Sequence, residues 1–300
     1  MDNNIARKYV TKDGKHRMTI YTELFPDSPR CMCDEPVHFE DWSRDYSIMT
    51  DKERKFRSVT MKDCIIKLLC KYGERDAIID MLIFNGKHMT DGKAVCPNAL
   101  VYNKSAHTWM LKEYVKYPGQ KEFSWQDVLL SEYRKCDINL YILLDECLES
   151  TIDELQFSKY WTDEVKICYY DFGHDGEVSF YDDISCEHTG IAWLEKDEFL
   201  KYSGCNAKYW KGKSLKEISG LLEELSAYAR GDVFFFKTEK KVEYKVHREC
   251  ISEEREPQDV IETEWEELET LSGFYGKLKE VLPQMLDNIR EFKQEDLIED

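Results

Sequence analysis

Carboxylates are crowded into one half of this 300-residue chain, and charge in that quantity has to stay on a surface. Residues 1–150 carry 23 Lys and Arg against 24 Asp and Glu, whereas residues 151–300 carry 19 against 36. Nearly all of the formal net charge of −18 therefore lies in the later half. A surface of that sign repels phosphate backbones and anionic membranes. It attracts basic grooves, including those in which other proteins hold nucleic acid. Direct nucleic-acid binding is not expected, and the one short basic run, Lys52–Arg57, reads as a solvated stretch. The chain can still build a core, since it has 18 Tyr, 14 Phe and 7 Trp and disordered chains are poor in aromatics.

No apolar run reaches the length of a membrane span, and Met1-Asp2-Asn3-Asn4 lacks the basic-then-apolar pattern of a signal peptide. The 11 cysteines are odd in number, and they read as small apolar core residues rather than a disulfide framework. Cys64 and Cys70 fall in a helical pattern and Cys168 in a strand. The reducing cytoplasm is the expected compartment.

Hydropathy periodicity predicts a strand over 17–23 and a helix over 60–72, with Thr60 as N-cap and Gly73 just past its end. A second short helix is expected over 76–84, a loop with a brief extended piece over 86–103, and a further helix from Ser124 to about Lys135. Residues 138–150 are ambiguous between helix and strand. Strands are expected at 165–170, 178–181 and 190–194, and an amphipathic helix at 214–230 that Gly231 stops. Residues 232–237 and 242–246 read as two antiparallel strands joined at Glu239-Lys240; an acidic segment (253–269) and a helix over 275–292 follow. The pattern implies an α+β fold with its antiparallel sheet concentrated in the C-terminal half and a helical N-terminal and middle region. Two regions are expected, 1–160 mixed α/β and 161–300 acidic α+β.

No sequence constellation dictates a chemistry. Cys31, Cys33 and His38 could contribute to a zinc site, but the usual partner pair is missing, and Cys96 and His107 would join them only by accident of folding. No metal or cofactor is expected. His174 with Cys186 and His188 supplies the residue types of a thiol–imidazole pair, but no spacing establishes contact, and a polar turn followed by a loop is the favoured reading. Glycine-rich phosphate loops are absent. Acidic clusters recur at Asp182-Asp183, at 195–198, at Glu253-Glu254 and across Glu262, Glu264, Glu266, Glu267 and Glu269. Paired carboxylates can hold a metal for phosphoryl transfer, and clusters this numerous also make an ordinary solvated face. Interleaved with Trp210, Trp265 and Tyr275, they can alternatively imitate successive phosphates and occupy a basic groove.

The later half also carries Tyr170-Asp-Phe-Gly-His-Asp-Gly176, Thr189-Gly190-Ile191, Ala227-Tyr-Ala-Arg-Gly-Asp-Val-Phe234 and Ser272-Gly-Phe-Tyr-Gly276, while Asp27-Ser-Pro-Arg30 lies near the N-terminus. In these the chain resembles a largely uncharacterised family of proteins carried by phages and conjugative elements of Gram-positive bacteria. Its members show "YDHSG", "SCxWDSGxxG", "YxxGDVYG", "WGFYG" and "ESPR" segments. The resemblance covers about residues 18–50 and 165–276; Glu187-His188-Thr189-Gly190 replaces the "WDSG" segment and Ser272 the tryptophan before "GFYG". It implies a mobile-element accessory protein in the cytoplasm of a bacterial host, with no catalytic residues to assign.

Charge and resemblance together lead to an expected role as a stoichiometric inhibitor of a host defence nuclease, of anti-CRISPR or anti-restriction type. Such an inhibitor would bind the nuclease or its guide complex through a nucleic-acid-mimicking face. The residues expected to carry it are Glu262, Glu264, Glu266, Glu267 and Glu269 with Trp265 as anchor, and Asp182, Asp183 and Glu187 as a second patch. A non-catalytic structural or replication-associated module, self-associating through apolar surface, is the first alternative. An enzyme using Cys186, His188, His174 or clustered carboxylates is the second.

Overall fold

The computed structural model describes residues 4–32, 36–42, 48–83, 89–90, 93–94, 97–116, 118–133, 138–173, 175–181, 188–248, 258–289, 292–293 and 296–299. The elements begin with β1 (Ile5–Thr11), β2 (His16–Thr22), α1 (Pro29–Met32), β3 (Val37–Asp41), α2 (Asp51–Phe56), α3 (Met61–Tyr72) and α4 (Arg75–Leu82). The middle holds β4 (Met89–Thr90), β5 (Lys93–Ala94), β6 (Asn98–Asn103), β7 (Thr108–Val115), β8 (Ser124–Tyr133), α5 (Leu140–Asp145) and α6 (Glu149–Glu154). Then come β9 (Val165–Phe172), β10 (Val178–Tyr181), β11 (Gly190–Glu195), α7 (Lys196–Ser203) and α8 (Trp210–Arg230). The chain closes with β12 (Val233–Arg248), β13 (Gln258–Tyr275), α9 (Leu278–Asp287) and β14 (Leu297–Glu299). These elements fall into two compact units, Met1–Cys33 with Asp175–Glu177 and Leu221–Asp300, and Asp34–His174 with Val178–Gly220.

The first unit is a five-stranded sheet in the order β13-β12-β2-β1-β14, every named pair antiparallel. Its β1–β2 turn is closed by Asp13, whose carboxylate accepts from the Thr11 hydroxyl at 2.6 Å and from the Lys15 amide at 3.0 Å. Alternation in the strands puts Met18, Ile20, Phe234 and Phe236 on one face, where Val281, Met285 and Leu286 of α9 cover them together with Ile289 and Phe292. The sequence predicts a turn at Glu239-Lys240, but β12 runs straight through it to Arg248. The reason lies on both flanks: β2 pairs with residues 234–240 on one side while β13 pairs on the other. Of the two charged residues that read as a turn, Glu239 is ion-paired within this three-strand ladder, to Arg17 and to Lys237. Likewise, the helix expected from Tyr275 starts only at Leu278, because Tyr275 still pairs with Val233 in the sheet.

The second unit contains a four-stranded sheet, β10-β9-β11-β3, a three-stranded sheet, β6-β7-β8, and the helices between them. The helix expected at 60–72 is α3, opened by a capping box between Thr60 and Asp63 and closed where the Gly73 amide donates to the Leu69 carbonyl at 2.8 Å. Its Ile65, Ile66, Leu68 and Leu69 join Leu143, Leu144, Ile152, Leu155, Val165 and Ile191 in one core. Cys64 and Cys168 are buried as expected; Cys70 is exposed, on the outer side of α3, which corrects its assignment to the core. Residues 138–150 resolve as α5 and the start of α6.

The helix expected from Ser124 is instead β8. Trp125 stands opposite Tyr114 with ring centroids 5.2 Å apart, and Asp127 takes the Lys112 ammonium at 2.7 Å, so cross-strand partners outweigh local helical preference. The class is α+β with antiparallel sheets, but strands are not confined to the second half: among the described residues, eight of the fourteen precede Ile138. No described helix is long and apolar enough to cross a membrane.

Candidate functional site

The β12–β13 hairpin outruns the sheet it belongs to. β2 ends its pairing at His16 opposite Lys240, whereas β12 and β13 stay paired as far as Arg248 and Gln258. Residues 241–248 and 258–265 thus form a two-stranded ribbon, about 26 Å long at 3.3 Å per residue. Strand alternation gives it two chemically different faces. Glu262, Glu264 and Glu266 stand opposite Tyr244, Val242 and Lys240. Lys241, Glu243 and Lys245 stand opposite Trp265, Thr263 and Ile261 on the other side. Two bulges adjust the base, where Leu268 and the Ser272-Gly273 pair exceed the register of β12. Gly273 has φ +83°, a conformation that a side chain would strain. The Leu268 bulge returns Glu269, opposite Thr238, to the face of Glu262, Glu264 and Glu266.

The structure thus brings four of the five predicted glutamates to one face and leaves Glu267 and Trp265 on the other. Spacing every second residue, about 6.6 Å, sets Glu262, Glu264 and Glu266 in a row. Glu264 accepts from the Tyr244 hydroxyl at 3.0 Å, and that bond raises the tyrosine's pKa. Glu267 is ion-paired to Lys237 at 3.0 Å, which lowers its pKa. Trp265 lies under the Arg17 guanidinium, 4.5 Å from ring centre to carbon. Arg17 also bonds Glu239, whose carboxyl it holds below the usual range. Trp265 is therefore tied into the sheet's own charge network rather than standing out as an anchor. Trp210 is fully buried, donating from its indole to the Asp163 carbonyl at 2.7 Å, and contributes nothing to an acidic surface. Asp182, Asp183 and Glu187 lie outside the described residues, as do Glu253 and Glu254.

Two arrangements join residues that the sequence singles out only separately or with other partners. His188 Nδ1 lies 2.9 Å from Asp171 Oδ2, and its ring stacks on Tyr181 and Tyr169 at centroid distances of 4.6 and 5.8 Å. Asp171 reaches it because β9 and β11 pair antiparallel, and its other oxygen accepts from the Thr189 amide at 2.6 Å. That is how a carboxylate fixes an imidazole for proton transfer. The thiol and imidazole named with it, Cys186 and His174, fall outside the described residues.

The second is on the opposite edge of the sheet. His38 of β3 meets Glu195, at the end of β11, and Glu198, in the first turn of α7, with one ligating atom of each within 4.8 Å of the others. His38 Nε2 is 2.7 Å from Glu198 Oε2, and its ring stacks on Trp193 at 5.2 Å. Burial pushes the Glu195 carboxyl up, but the Lys71 ammonium at 2.8 Å outweighs it and the net pKa is lowered. His38 also lines a groove of about 410 Å³ with Thr50, Lys52, Phe56 and Trp193. Of the other residues named with His38 for zinc, Cys33 and Cys96 and the Cys31 side chain are outside the description, and His107 bonds Tyr102 at 3.2 Å in the β6–β7 turn. Scans of protein-family models, curated proteins and solved structures find no match to this chain.

Proposed function

We propose that this protein works by binding rather than turnover, and that the acidic face of the β12–β13 ribbon enters a basic groove which its partner otherwise uses for nucleic acid. The observation that carries this reading is the row of Glu262, Glu264, Glu266 and Glu269 on one face of a hairpin that extends past its sheet. Carboxylates on a paired ribbon are held at fixed spacing before any encounter, so binding costs little ordering entropy and charge steers the approach. The net charge of −18 acts in the same direction. Its resemblance to mobile-element proteins makes a host defence nuclease, of the CRISPR or restriction kind, the proposed partner. Occupying that groove would block the nuclease stoichiometrically. The protein itself would need neither metal nor cofactor for this.

A pull-down from cells carrying such defence systems, run at low and high salt, tests the proposal. The expected result is recovery of a nucleic-acid-handling protein or its guide complex at low salt, release as salt rises, and loss of capture when E262Q, E264Q and E266Q are combined. Salt-insensitive recovery, or recovery only of self subunits, capsid or replication proteins, would overturn it in favour of a structural module.

A further inference from the structure

We propose that His38, Glu195 and Glu198 form a binding site for a divalent first-row transition cation, with zinc the ion of reference. The inference is independent of the ribbon. Three elements converge on the site: β3 brings the imidazole, the end of β11 brings one carboxylate and the first turn of α7 brings the other. The pairing of β11 with β3 sets this up, because Trp193 lies directly opposite His38 and stacks on its ring with an interplanar angle of 21°. The stack holds the imidazole plane and leaves Nε2 directed at Glu198, 2.7 Å away.

One nitrogen and two carboxylate oxygens suit zinc, manganese or iron(II) better than magnesium or calcium, which prefer all-oxygen shells. A tetrahedral zinc about 2.0–2.2 Å from each donor needs donors about 3.4 Å apart. The observed atoms, all within 4.8 Å of one another, reach that spacing through small side-chain rotations; Glu198 and His38 are each part-exposed and have room to make them. Three protein donors leave a coordination position for water or a ligand, the arrangement of open rather than purely structural zinc sites. Lys71 is the built-in competitor. Its ammonium sits on Glu195 at 2.8 Å, but its side chain is 61% exposed and can swing away as the cation neutralises the carboxylate.

The test uses the full chain stripped with a chelator, titrated with Zn²⁺ by calorimetry and with Co²⁺ by visible absorption and tryptophan fluorescence. One saturable site is expected, with Co²⁺ quenching emission through Trp193 and the W193F variant losing that quench while still binding. H38A and E198Q should each weaken Zn²⁺ by tenfold or more with unchanged far-UV circular dichroism, and K71M should tighten it. The double variant C31S/C33S should bind as the parent does. Absence of saturable binding, full affinity in both H38A and E198Q, or a loss confined to C31S/C33S would overturn the assignment. Because E198Q changes an exposed helix position, it still decides the matter if H38A fails to fold.

Discussion

At its base, β12 lies between β2 and β13 and turns Phe234 and Phe236 toward α9. Further along, past Lys241, the same strand pairs among the described residues with β13, and it carries Lys241, Glu243 and Lys245 on one side and Val242 and Tyr244 on the other. Backbone pairing is continuous across both stretches. What changes is the side-chain layer above it: apolar residues that a helix covers at the base, and beyond it charged residues with no covering helix among the described residues. A hairpin can thus be anchored by a core at one end and keep a charged end free of aggregation, since lysines and glutamates along exposed strands discourage further pairing.

That contrast is broken most directly by truncating one side chain in each stretch. Phe236→Ala at the base removes a fully buried ring and should cost about 3–5 kcal/mol, whereas Val242→Ala on the ribbon should stay within about 0.5 kcal/mol. Urea unfolding of both variants measures the difference. Equal losses would mean that the ribbon packs against something as firmly as the base does.

Between the two stretches sits Glu239, nearly buried and held by Arg17 and Lys237. Arg17→Met leaves that carboxylate with the lysine alone and frees Trp265 from its cation, so a loss of about 1–3 kcal/mol is expected. The pH dependence fixes the sign. Arg17 lowers the Glu239 pKa in the fold, so its stabilising contribution is full above the ordinary glutamate value, about 4.3, and is lost as pH falls through the lowered one. The parent's stability should therefore drop more steeply below that pH than the variant's does, as unfolding midpoints measured down the acid range would show. Parallel profiles would remove Arg17 as the cause.

Tyr275 closes the base from the other end of β13. Burial pushes its phenol up to about 12, and its hydroxyl donates to the Asp27 carbonyl at 2.7 Å. Tyr275→Phe should cost about 1 kcal/mol, and ultraviolet titration should lose one tyrosine that ionises near 12. Because the folded pKa is the higher one, this contribution is complete below the ordinary phenol value near 10 and disappears as pH rises through 12.

How much of this was legible beforehand depends on the range of the forces involved. The helix α3 was readable because its stripe, its Thr60 cap and Gly73 all act within a few residues. β8 was not, since Trp125 and Asp127 acquire strand character only from Tyr114 and Lys112 across the sheet. The length of β12 depends on β2, more than two hundred residues away in sequence. Met1–Cys33 shares a compact unit with Leu221–Asp300, a grouping that follows from the β2–β12 pairing and has no local marker in the sequence. Among site residues, Glu262 to Glu269 stood out through density of charge alone, but which of them share a face required the strand register and the Leu268 bulge. His38 and the 195–198 cluster each drew notice separately, but their meeting was not legible, since His38 and Glu198 are 160 residues apart and are brought together by the β3–β11 pairing.

The smallest expected effect on folding belongs to the residues that matter most for the proposed role. Glu262, Glu264 and Glu266 carry like charge at every second position of one strand, so they repel one another, weakly because solvent and salt screen the distance. Replacing all three by glutamine keeps size and strand compatibility while removing that repulsion. The unfolding midpoint should stay where it is, or rise slightly at low salt and not at high salt. An unchanged midpoint would mean that the hairpin does not depend on these charges, as the proposed docking role requires. A triple variant that unfolds markedly earlier would instead show that the charges hold the ribbon together, through Tyr244 and Lys240 opposite them, and would take away the basis for a docking face.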